Sequence, residues 1–356
     1  MRKRASIRPC SLALWGALAF FLSLPGPALA AQELIYITTL PNKLVVIDGE
    51  KDEIVREIPL RGTPYYVTAT RDGRTVFAIT GRREYIEIIN AEQGKVVDAI
   101  TLSQEKEKLK VRFYGLAVSP QGDQLYLNVM ASREAMDELV AEPPYVAILD
   151  LKTKKVTGTI RVPYGVGALF SLSKGPQIYA FGRDLYTLDP VQRKVVRTTG
   201  LASPRIVGEG PMNALPFWTH YPKDGLFGSP YVEGGDPVTH TPKIGLLLFD
   251  TVDGRLDKVE LGPPFPIFSA VVSPDRRTAY GVFTQLTVVD LKERRVTKAV
   301  PLQASYYTLD VSSNGKKLYI SGAAPEVVVM DASTFQVLKT IDLPGNTFDL
   351  RVIPRE

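Results

Sequence analysis

His220 and His240 are the two histidines of this 356-residue chain, and both fall in one stretch between Leu201 and Ile244. Imidazole is a common metal ligand, so the pair is a candidate metal site. The spacing of 20 residues, with no cysteine nearby and no Glu-x-x-His, is a weak signal. Hydrogen-bonded loop histidines are the plainer reading. Asp224 and Asp236 in the same stretch stand beside Gly225 and Pro237, as turn residues do.

The same stretch carries Phe217, Trp218 and Tyr221, an aromatic cluster that suits a partner interface or a pocket wall as well as a local hydrophobic plug. Phe113-Tyr114 and Tyr306-Tyr307 are two further aromatic pairs. What is absent is sharper. There is no C-x-x-C-H for haem attachment, no G-x-G-x-x-G, no P-loop and no G-x-S-x-G. The chain therefore shows no recognisable redox or hydrolytic centre of its own.

The elements that would position these residues are set by a repeat. In VVVMDASTFQVLKTIDL, Val327–Leu343, two apolar runs flank a polar turn, and Val337 follows Asp331 by six residues. The same interval separates Asp48 from Ile54, Asn90 from Val96, Asp150 from Val156, Asp189 from Val195, Asp250 from Leu256 and Asp290 from Val296. The seven turn residues lie 42, 60, 39, 61, 40 and 41 residues apart. Four of these distances match a four-stranded propeller blade, and the other two are that length with an insertion. The expected fold is all-β: a seven-bladed β-propeller of four-stranded antiparallel blades. Blade one has three strands locally, so Thr347–Ile353 is expected to supply the fourth and close the ring.

A second signature marks the inner turns: Ser119-Pro120-Gln121-Gly122, Ser273-Pro274-Asp275 and Ser313-Asn314-Gly315. Blade three carries the insertion Asn128–Pro144, in which Ser132–Val140 reads as a short helix with Ser132 as its N-cap. Blade five holds the irregular stretch already described. In an up-and-down blade the tight Asp-to-Val turns mark one face. The insertions, with Ser103–Lys110 and Gly262–Pro266, are expected on the other, where a rigid scaffold usually carries recognition. Phe113-Tyr114 and Tyr306-Tyr307 start inner strands, where they line the central channel or pack between blades.

Arg2, Lys3, Arg4 and Arg8 precede the apolar run Leu12–Leu24, and Ala28-Leu29-Ala30 follows, the pattern of a secretory signal cleaved after about Ala30. The run is shorter than the roughly 20 residues of a membrane span. Residues 31–356 are then expected to form one propeller domain. Cleavage leaves 39 Lys and Arg against 38 Asp and Glu and removes Cys10, the single cysteine. The near-neutral product makes no electrostatic case for nucleic acid. It also holds no disulfide or thiolate site.

Several stretches in order carry a resemblance. They are Lys43–Asp48, Leu116–Gly122, Gly182-Arg183-Asp184-Leu185 with Asp189-Pro190, Ser305-Tyr306-Tyr307 with Asp310-Val311-Ser312, and Ile341–Asn346. Over essentially all of residues 31–356 the chain resembles the β subunit of quinohemoprotein amine dehydrogenase, with the blade pattern of YVTN-type propellers. The resemblance implies a periplasmic heterotrimer. In it a γ subunit carries cysteine tryptophylquinone, an α subunit carries two c-type haems, and this propeller carries no prosthetic group. It implies no catalytic, cofactor or metal residue here. Phe113, Tyr114, Phe217, Trp218, Tyr221, Tyr306 and Tyr307 are the candidate partner-interface or pocket-wall residues, near the place where primary amines become aldehydes. The competing reading is a free-standing periplasmic YVTN-type propeller that binds a ligand or a protein.

Overall fold

Each Asp-to-Val interval folds as the same turn, and the reason is local chemistry. The side-chain oxygen of Asp48, Asn90, Asp150, Asp189, Asp250, Asp290 and Asp331 accepts backbone N–H groups two or three residues on, at 2.7–3.1 Å. Four residues after each of them the backbone turns left-handed, at Asp52, Gly94, Lys154, Arg193, Gly254, Arg294 and Phe335. Only two of these are glycine. Several of the others use their length: Lys154 pairs with Asp98, Arg193 donates to the Thr157 carbonyl at 2.8 Å, and Arg294 donates to Asp257 at 2.9 Å. Each thus ties its turn to the outer strand of the preceding blade.

The computed structural model describes residues 33–172, 175–202, 210–215, 225–234 and 241–355. Blade one holds β1 (Glu33–Thr39), β2 (Lys43–Asp48) and β3 (Glu53–Pro59). Blade two is β4 (Tyr66–Ala69), β5 (Thr75–Thr80), β6 (Tyr85–Asn90) and β7 (Lys95–Ile100). Blade three is β8 (Leu109–Val118), β9 (Gln124–Glu134), β10 (Leu139–Ala141), β11 (Tyr145–Asp150) and β12 (Lys155–Arg161). Blade four is β13 (Ala168–Ser171), β14 (Ile178–Phe181), β15 (Leu185–Asp189) and β16 (Lys194–Thr199). Blade five is β17 (Met212–Ala214), β18 (Leu226–Glu233), β19 (Lys243–Asp250) and β20 (Leu256–Gly262). Blade six is β21 (Ser269–Val272), β22 (Thr278–Val282), β23 (Gln285–Asp290) and β24 (Arg295–Pro301). Blade seven is β25 (Tyr306–Val311), β26 (Lys317–Gly322), β27 (Glu326–Asp331) and β28 (Val337–Asp342). The last strand, β29 (Thr347–Pro354), returns to pair antiparallel with β1, so blade one reads β29-β1-β2-β3 and the seven-bladed ring is closed.

The core is distributed over the seven contacts between blades. In β1, Leu34 and Tyr36 pack toward blade two while Ile35 and Ile37 pack toward blade seven. Because both faces of a blade are covered, its middle strands are apolar at nearly every position. The outermost strands lose one neighbour and turn polar and exposed, as in β24 and β28.

One sequence expectation is corrected. Ser132–Val140 forms no helix: Ser132–Glu134 end β9, and Leu139–Ala141 pair back on them as β10. Strand pairing with β8, which runs alongside β9 from Leu109, outweighs the local capping signal at Ser132.

Candidate functional site

The first strand of each blade runs beside the central channel, beginning at the loop-bearing face and ending at the face of tight turns. Its end is fixed by a repeated bond: the N–H groups of Thr70, Ser119, Ser273 and Ser312 donate to carbonyls five residues on, at 2.8–2.9 Å. Counting back five residues from each gives Tyr65, Tyr114, Phe268 and Tyr307, and the same register in blade one gives Phe348. The ladder shifts at Tyr114, Tyr307 and Phe348. At Tyr65 and Phe268 the N–H reaches the carbonyl of the residue that the following position pairs with. Such bulges turn a side chain away from the sheet face. All five side chains are half-buried at the channel mouth.

The contacts around this mouth repeat. Phe348 and Tyr65 lie with ring centroids 5.4 Å apart. Arg83, from the hairpin between β5 and β6, sits over Tyr65 at 4.5 Å and over Tyr114 at 5.1 Å. Phe283, from the equivalent hairpin of blade six, lies 4.5 Å from Phe268 and 6.4 Å from Tyr307. The carbonyls of Arg83 and Phe283 accept the N–H groups of Phe113 and Tyr306 at 2.8 and 3.0 Å, locking each hairpin to the next blade. Burial lowers the Arg83 pKa, and the two tyrosines oppose that shift.

Blade four breaks the aromatic series. Gly167 holds the bulge position, donating to the Phe181 carbonyl at 2.8 Å. Beside it opens a cavity of about 420 Å³ floored by Gly167, Phe181, Met212 and Ala214, with Arg183 and Asn213 among its polar groups.

The sequence-predicted residues divide cleanly. Tyr114 and Tyr307 reach the mouth. Phe113 and Tyr306 do not: they are 0 % and 1 % exposed, packed between blades two and three and between blades six and seven. Tyr306 also bonds the Glu326 carboxylate, and burial together with that charge raises its pKa. Phe217, Trp218, Tyr221, His220 and His240 lie outside the described residues. Tyr65, Arg83, Phe268, Phe283 and Phe348 were missed. Four of the five bulge aromatics were findable as the residue five before the turn Ser or Thr.

At the other end of the channel, polar and charged groups enter a largely apolar wall. A cavity of about 230 Å³ is lined by Thr68, Thr70, Val271, Ser273, Asp310 and Arg351, among others. Arg351 pairs with Asp349 at 3.0 Å and lies over the Tyr66 ring at 5.3 Å. Burial raises the Asp310 pKa well above the usual carboxylate range and pushes that of Asp349 up to about 6, with Arg351 opposing the latter. Among the described residues no group of three or more His, Cys, Asp or Glu is placed to hold a metal ion.

Comparison with known proteins places the architecture. No family model matches the chain. It is similar in structure to hydrazine synthase of Kuenenia stuttgartiensis, with 12 % identity, TM-score 0.56, and 86 % of this chain and 90 % of that one covered. It is likewise similar to the dihydro-heme d1 dehydrogenase NirN, with 12 % identity, TM-score 0.58, and 92 % and 76 % covered. A third is apo AztD from Citrobacter koseri, with 15 % identity, TM-score 0.57, and 91 % and 98 % covered. In sequence, 188 residues, 51 % of the chain, are 24 % identical to the human U3 small nucleolar RNA-associated protein 18 homolog, of which the match covers 30 %. At these identities the likeness is one of fold: the chain is a seven-bladed propeller with distant propeller neighbours, two of which are named as enzymes, a synthase and a dehydrogenase.

Proposed function

We propose that this chain is the propeller subunit, without a prosthetic group of its own, of a periplasmic quinohemoprotein amine dehydrogenase. Its loop-bearing face docks the quinone-bearing γ subunit and the dihaem α subunit, and it walls the approach of a primary amine to the quinone. The observation that carries this reading is the aromatic mouth: five half-buried rings at equivalent bulges, interrupted at Gly167 where the cavity of about 420 Å³ opens. Aromatic side chains are enriched where proteins meet. A wall of rings also suits an amine, whose chain is apolar and whose ammonium is attracted to a π face. The resemblance of Gly182–Leu185, Ser305–Tyr307 and Ile341–Asn346 supports the same family.

The test is purification of the tagged chain from its native periplasm, with an absorption spectrum and a quinone stain of the eluate. A c-haem spectrum with a small quinone-positive polypeptide is the expected result. A colourless single chain would overturn the assignment. The second reading, a free-standing ligand-binding propeller, is favoured by the cavity of about 230 Å³ at the opposite end of the channel, where Asp310 and Arg351 are 2 % and 4 % exposed.

A further inference from the structure

Blade three reaches beyond the ring. Val129 occupies the position at which β5 of blade two ends, yet β9 continues five residues further, with β8 beside it. At about 3.4 Å per residue this carries the hairpin roughly 17 Å out from the loop-bearing face. On the other side of β9, β10 folds back with Leu139 opposite Glu134 and Ala141 opposite Ser132. The turn closes through Ala135 N–H donating to the Glu138 carbonyl at 2.9 Å.

The base of this arm is firm. Val111 and Ala131 belong to the core between blades two and three. Glu134 N–H donates to the Lys108 carbonyl at 3.0 Å, and Arg133 binds Glu142 at 3.3 Å. Phe113, where the arm joins the ring, is tied to Arg83 of the aromatic mouth.

The tip is of a different character. Met136 is 99 % exposed, Leu139 68 % and Val140 45 %. Glu134, Asp137 and Glu138 flank them in the sequence, no basic residue occurs from Glu134 through Ala141, and Arg133, just before, is paired with Glu107 and Glu142 at the base. Most other exposed apolar side chains are spread over the outermost strands, as at Val55, Val97, Val156 and Val196. Proteins usually blunt a projecting edge strand with lysine or proline, and β10, which pairs with β9 alone among the described strands, carries neither.

We propose that the arm Ser132–Ala141 is a docking element for a different protein chain, one that offers an apolar groove rimmed by lysine or arginine. The acidic tip calls for basic groups opposite it. A second copy of this chain fits poorly, because a two-fold contact would bring two sets of Glu134, Asp137 and Glu138 together. The arm stands on the same face as the aromatic mouth and continues from it, so a partner seated there meets both. This inference rests on the reading of the chain as a subunit of an assembly.

The experiment compares complexes purified through the tagged wild-type chain, a Met136→Asp/Leu139→Asp variant and an Asp137→Lys/Glu138→Lys variant. All four side chains are exposed, so the urea midpoint of each purified chain should match the wild type. The expected result is at least tenfold less co-purifying haem polypeptide for either variant, with wild-type retention also falling as salt is raised. Variants that retain the haem polypeptide as the wild type does would overturn the arm's role and leave the subunit reading standing. A wild-type chain that purifies alone would overturn both. A wild-type homodimer that the variants split would overturn the inference in favour of self-association.

Discussion

The carboxylate of Asp310 in blade seven accepts a hydrogen bond from the backbone N–H of Val352 in blade one, 2.6 Å away, and Asp349 of blade one repeats the contact to Val67 of blade two at 2.9 Å. The inner strand that closes the ring is thus held on both sides by buried carboxylates. An unpaired buried donor costs about 1–3 kcal/mol. Asp310→Ala also strips the partner from the Val311 N–H, which Asp310 holds at 2.7 Å. We expect it to lower stability by about 1–3 kcal/mol, with Asp310→Asn costing less, as read from urea unfolding. Equal midpoints for Asp310→Ala and wild type would show that the contact contributes nothing.

Asp349 gives the protein a pH dependence of defined sign. Burial pushes its pKa up to about 6 in the folded chain, with Arg351 opposing, against about 4 when unfolded. Between those values the folded state holds more protons than the unfolded state, so this group's contribution to stability rises as the pH falls from about 6 toward 4. Asp349→Asn removes that slope, although it leaves Arg351 without its carboxylate. The wild-type advantage over Asp349→Asn in urea midpoint should therefore grow from pH 7 to pH 4.5. A difference independent of pH would refute the assignment.

Neighbouring aromatics should respond in opposite ways. Phe113→Ala opens a cavity between blades two and three and should cost about 3–5 kcal/mol. Tyr114→Ala removes a half-buried ring and one cation–π contact with Arg83 and should cost only about 1 kcal/mol. On the proposed function, amine turnover by the assembled enzyme falls for Tyr114→Ala and Tyr307→Ala while their thermal midpoints drop by only about 2–4 °C. Unchanged turnover and partner retention in both would remove the mouth from the mechanism.

Ring closure rests on β29, which pairs with β1 from Glu33–Pro354 to Thr39–Thr347. A chain ending at Asn346 would leave the edge of β1 open and the faces of blades seven and two partly uncovered. It should lose cooperative unfolding and aggregate on concentration, seen by light scattering. A soluble truncated chain with the full-length midpoint would mean that closure is dispensable.

Much of the fold was legible because its turns are made by local chemistry. The Asp or, in blade two, Asn that opens each outer hairpin bonds its own next few backbone groups, so the spacing from Asp331 to Val337 and its six counterparts is written in local sequence. The arm was not legible. Ser132 reads as a helix cap by itself, and only pairing with β8 makes it strand.

By itself the sequence determined seven blades and the strand that closes them, since these follow from a repeat whose signals lie within a few residues. It did not place every insertion: the stretch between Ala214 and Leu226 joins the first two strands of blade five, a connection that belongs to the face of tight turns and not to the opposite one. The tertiary structure decided which aromatic of each pair reaches the channel mouth. Phe113 and Tyr114 are adjacent and chemically alike, but a one-residue bulge sends the first into the core and the second to the channel mouth. It also decided the company of Asp310, Asp349 and Arg351. Their partners come from blades brought together only when the ring closes, so no local spacing announces them.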